Sequence, residues 1–136
     1  MQTKAPDYWP ANIATSGIAT PSLILREQAR YLGQKTKNVV EGRVLPTPMG
    51  ESIVVYFDLV VPALNNYSFR LLRVVHGPLG YPADVHFLDT ETKGGPLSGK
   101  HFRAGNETSF RKFLKQVLAS DETRRILGSL ITQART

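Results

Sequence analysis

Between residues 38 and 88, apolar and polar positions alternate with a period of two, in runs divided by proline and glycine clusters. On either side the period lengthens to that of a helix. Leu25, Ala29 and Leu32 recur at helical spacing, with Ile24 and Gln28 flanking and Arg26, Glu27 and Arg30 left for solvent. Thr20-Pro21 marks the start of this helix, because a hydroxyl can cap free N–H groups and proline lacks only a donor that has no partner at the first turn. Gly33 places its end there or within one further turn.

The alternating region reads as four short antiparallel strands. Residues 39–45 form the first, 46–50 (Pro-Thr-Pro-Met-Gly) turn the chain, and 52–61 form the second and most apolar, which belongs at the centre. Residues 62–66 connect to a third strand over 67–76, where Tyr67, Phe69 and Leu71 alternate with Ser68 and Arg70. The fourth runs over 83–88 and sets Val85 and Phe87 opposite Asp84 and His86. A glycine-rich loop follows over 90–105. Then Phe110, Phe113, Leu114, Val117 and Leu118 trace a strongly amphipathic helix capped by Asn106 or Thr108. Ser120 and Asp121 open a last helix carrying Ile126, Leu127, Leu130 and Ile131.

The order α-β-β-β-β-α-α predicts an α+β domain: an N-terminal helix, a four-stranded antiparallel β-meander and two C-terminal helices packed on one face. The chain of 136 residues suits one core, stable without a metal or disulfide. That domain covers residues 20–136. Before it, Pro6, Pro10 and Gly17 make residues 1–19 an irregular arm, whose Tyr8 and Trp9 are expected to pack onto the domain or onto a partner.

Chemistry is narrowed by what the chain lacks. With no cysteine, thiolate nucleophiles, disulfides and Cys-ligated zinc are excluded. The first residues contain no apolar run of signal-peptide length, and the longest apolar stretch, 53–61, is broken by Asp58 and too short to span a bilayer. A cytoplasmic protein without a membrane partner is expected. Charge is lopsided: residues 1–99 hold nine Lys/Arg against eight Asp/Glu, whereas 100–136 hold eight against three. The excess lies on Lys100, Arg103, Arg111, Lys112, Lys115, Arg124 and Arg125, a candidate surface for phosphates or an anionic partner.

Gly94, Gly95 and Gly99 with Lys100 and His101 form the candidate functional loop, and Gly94 to Lys100 has the G-x-x-x-x-G-K spacing of a phosphate-binding loop. His101 stands where the Mg²⁺-binding Ser/Thr belongs, and no helix start or parallel-sheet pattern follows. Nucleotide hydrolysis is therefore a minor reading. His76, His86 and His101 share no metal-ligand spacing, and a one-residue slip would put His76 and His86 on opposite faces. Asp58, a carboxylate within an apolar strand, must face water or pair with Arg43, Arg70 or Arg73.

Tyr81-Pro82, lying between the third and fourth strands of this element order, resembles the RWD domains and the inactive, cysteine-less ubiquitin-conjugating-enzyme variants. In those families a further proline usually precedes the fourth strand, which residues 83–86 lack. The resemblance implies binding without thioester transfer, since that transfer needs a cysteine. The expectation is a non-catalytic protein-interaction module of adaptor or immunity type, without a cofactor, whose exposed sheet face and 90–105 loop meet another protein. The alternatives are a small nucleic-acid-binding protein using the basic C-terminal helices and an enzyme built on the 94–101 loop with a strand histidine.

Overall fold

The computed structural model describes residues 5–88 and 100–136. Helix α1 (Pro21–Lys35) is followed by strands β1 (Glu41–Met49), β2 (Ser52–Val61), β3 (Tyr67–His76), β4 (Ala83–Phe87) and β5 (Lys100–Ala104). Helices α2 (Glu107–Leu118) and α3 (Asp121–Ala134) complete the chain. The sheet is an antiparallel meander in the order β1-β2-β3-β4-β5, so the α+β class and the connectivity agree with the sequence pattern.

Two differences from expectation have physical causes. The sheet has five strands, because residues 100–104, read from sequence as loop, pair with β4 from Phe87↔Lys100 to Ala83↔Ala104. Phe102 and Ala104 are the only apolar residues of this short edge strand, too few to reveal the alternation beside three charged or polar ones. The segment 46–49, read as a turn, continues β1 with Pro46↔Val55 and Pro48↔Ile53 in register. Proline is tolerated there because β1 is an edge strand and two prolines spaced by two direct their missing N–H groups away from β2. The reversal itself falls on Gly50-Glu51, with Gly50 at φ +62.

The core lies between the sheet and all three helices. Val55, Phe57, Leu59 and Val61 of β2 meet Ile24 and Leu25 of α1, Phe110, Leu114 and Val117 of α2, and Leu130 of α3. At Gly42 the β1 backbone approaches α1 so closely that an added Cβ would stand 2.7 Å from the Ala29 Cβ. Asn106 caps α2 by accepting from the Ser109 N–H at 2.9 Å, and Ser120 caps α3 through the Thr123 N–H at 3.3 Å. Tyr8 and Trp9 do not pack onto the domain: they are 88% and 77% exposed.

Candidate partner-binding face

With the helices on one side, no described helix covers the opposite face of the sheet, and its side chains follow from the register. Arg43, Asp58 and Arg70 form one cross-strand row. Leu45, Tyr56, Arg73, His86 and His101 form the next, and Thr47, Val54, Val75, Asp84 and Arg103 the third.

A bulge in β3 creates this arrangement. Leu72 stands opposite Phe57 and Arg70 opposite Asp58, so Leu71 is an extra residue, and both leucines are 1% exposed. One added residue reverses the parity of the strand. Arg70 and Arg73, three apart and destined for opposite faces in a regular strand, therefore share the open face.

The first row is held by a buried anion. Asp58 is 2% exposed and accepts from Arg43 Nη2 at 3.2 Å, Arg70 Nε at 3.0 Å and Arg70 Nη2 at 3.4 Å. Of the three arginines named from sequence as partners, Arg43 and Arg70 bond to it. Arg43 Nη2 also reaches Ser68 Oγ at 3.0 Å, and the Arg70 guanidinium lies 3.8 Å from the Tyr56 ring centroid. Two guanidiniums on one carboxylate leave a net positive charge, while both arginine side chains remain about half exposed, at 46% and 51%. The result is a pre-formed, outward-facing Arg-Tyr-Arg cluster.

At the other edge, Arg103 Nη1 contacts Asp84 at 3.4 Å and His101 Nε2 lies 3.6 Å from the same carboxylate. The His86 and His101 rings stack at 4.5 Å. His76 lies on the helix side of the sheet, buried, with its Nδ1 2.8 Å from the Gly77 carbonyl oxygen, so it shares no face with the other two. Among the described residues no three histidine, aspartate or glutamate side chains converge as metal ligands.

The seven basic residues named from sequence do not share one surface. Arg103 is on the open sheet face and Lys100 at the start of β5, within electrostatic reach of Glu122 on α3. Arg111 faces α1, bonded through Nε to Glu107 at 3.0 Å and paired with Glu27 at 3.6 Å; its hydrogen bond with Glu107 holds that carboxyl below and the guanidinium above their ordinary pKa values. Lys112 and Lys115 are exposed on α2, while Arg124 pairs with Asp121 at 3.7 Å and Arg125 is exposed on α3. His101 of the candidate loop is in β5; Gly94, Gly95 and Gly99 lie outside the described residues.

Tyr81 ties this helix side together. Its hydroxyl donates to the Ala19 carbonyl at 2.7 Å, and the Ala19 N–H donates to Glu107 Oε1 at 3.1 Å. Partial burial, with Glu107 nearby, pushes the phenol up to about 12. The Tyr-Pro dipeptide thus anchors the chain entering α1. Sequence reading passed over Tyr56 and the joint placement of Arg70 and Arg73; the one available signal was Leu71-Leu72, two adjacent large apolar residues that break the alternation of β3.

Compared with known protein families, with curated proteins and with solved structures, the chain matches none.

Proposed function

We propose that the chain is a cytoplasmic, non-catalytic protein-interaction module whose partner docks on the open sheet face over Arg43, Tyr56, Arg70 and Arg73. The observation that carries this reading is the Asp58-anchored cluster. Arginine and tyrosine are the residue types that dominate interface energetics, and here they are held in place before any partner arrives, which lowers the entropic cost of docking. Exposed Leu45 and Met49 add apolar area beside them. The net positive row favours an acidic partner surface, which fast electrostatic encounter would also serve. The likeness of the Tyr81-Pro82 turn to RWD domains and cysteine-less ubiquitin-conjugating variants points the same way, toward binding without transfer chemistry, while the fifth strand departs from the element order of that likeness.

The test is capture from native lysate by the wild-type chain and by two variants, Tyr56→Ala/Arg70→Ala on the sheet and Lys112→Glu/Lys115→Glu on α2. A stoichiometric protein recovered by wild type and the α2 variant but lost by the sheet variant supports the reading. Nucleic acid recovered by wild type and lost by the α2 variant, with a steep salt dependence, would replace it with the nucleic-acid reading.

A further inference from the structure

On the far side of the sheet from that face, α1 carries polar residues on the stripe that should be apolar. Ile24, Gln28, Leu32 and Lys35 follow one another at helical spacing, with Tyr31 beside them, and this stripe faces the junction of α2 and α3. It does not close. An outer cavity of about 510 Å³ separates Ile24, Gln28 and Lys35 from Arg111, Leu114 and Lys115. An inner cavity of about 210 Å³ reaches the sheet, walled by Phe57, Leu59, Leu71, Leu118 and Leu127. The two share Gln28, Lys35 and Leu118, so they adjoin.

Their chemistry is graded. The inner walls are apolar, and the buried Thr123 hydroxyl among them donates to the Val117 carbonyl at 2.6 Å. At the rim, Arg111 is already neutralised by Glu27 and Glu107. Among the described residues, by contrast, Lys35 and Lys115 have no carboxylate partner, and the Gln28 amide and Tyr31 hydroxyl have no hydrogen bond. A few polar groups without a protein partner, solvated at the rim of an apolar floor, are the marks of a ligand site. Two uncompensated ammonium groups select an anion, and the inner volume admits one hydrocarbon tail, not a two-chain lipid or a helix.

We propose that this groove binds a single-chain carboxylate of the medium-chain fatty-acid class. Its carboxylate sits between Lys35 and Lys115, within reach of Gln28 and Tyr31, and its tail runs under Leu118 against Phe57, Leu71 and Leu127. The site is independent of the sheet-face reading, since no residue is shared with it.

Titration calorimetry of the full chain with decanoate, below its micelle concentration, tests this. Saturable one-to-one binding is expected, with decanol about tenfold weaker for want of the charge. Lys35→Glu/Lys115→Glu, both exposed positions whose reversal leaves the fold intact, should weaken decanoate by about tenfold or more. Leu127→Trp should fill the inner space and remove binding, with the circular dichroism of the chain unchanged. No saturable heat, equal affinity in the charge-reversed chain, or capture of an acidic amphipathic peptide in place of decanoate would overturn the proposal.

Discussion

Replacing Asp58 by asparagine keeps the shape of the side chain and removes the charge that organises the open face. The carboxylate is 2% exposed and accepts three bonds from two guanidiniums. A hydrogen bond to a charged group contributes about 1.5–3 kcal/mol, and removing one partner of a fully buried ion pair costs roughly 3–5 kcal/mol. The arginines here are about half exposed and can return to water, so the larger figure does not apply. We expect Asp58→Asn to cost about 2 kcal/mol, read as a lower urea midpoint at unchanged m-value. In a double-mutant cycle, Arg70→Gln should cost less in the Asp58→Asn background than in wild type, with a coupling of roughly 1 kcal/mol. An Asp58→Asn chain within about 0.5 kcal/mol of wild type, or a cycle without coupling, would show that the triad does not hold the row together.

Two further predictions concern the helix side. At Gly42 an added Cβ would meet Ala29 Cβ at 2.7 Å, Ala29 Cα at 2.9 Å and Phe57 Cζ at 3.0 Å, so Gly42→Ala should cost about 1–3 kcal/mol in urea unfolding. Ala29→Gly should recover part of that loss despite its own helix penalty of about 1 kcal/mol, and strictly additive effects would refute the close approach. Tyr81, neutral in the fold up to about 12 and ordinarily ionising near 10, favours the folded state fully below the lower value. That contribution is lost as pH rises from the lower value through the higher. Near-ultraviolet titration should show a late-ionising tyrosine that disappears in Tyr81→Phe, and the variant should lose less stability across the same window.

The long, strongly patterned elements were legible because their signals are repeated. In α2, Phe110, Phe113, Leu114, Val117 and Leu118 all report the same face, and in β2 Val55, Phe57, Leu59 and Val61 do so. What escaped depended on single residues whose meaning is set by a neighbouring strand. Strand β5 exists because β4 offers it an edge, Pro46 and Pro48 are strand residues because β1 is the edge of the sheet among the described residues, and Arg73 reaches the open face because Leu71 is bulged. The basic run of the C-terminal quarter misled in the opposite sense. Adjacent in sequence, its members divide between a sheet face, a strand edge and separate helix faces, and Arg111 and Arg124 are spent on nearby carboxylates. The pairing of Asp58 with arginine was one of two outcomes readable from sequence, since a carboxylate in so apolar a strand must face water or find a cation, and Arg43 and Arg70 supply it.

The open sheet face as a docking surface is the central claim, and site-specific photo-crosslinking in cells that make the protein addresses it most directly. A benzophenone amino acid placed at Tyr56 should capture one discrete polypeptide, and the same probe at the exposed Gln133 of α3 should not. Capture of that polypeptide from Gln133 alone, or no adduct from Tyr56 under conditions where the chain is folded and abundant, would contradict the account.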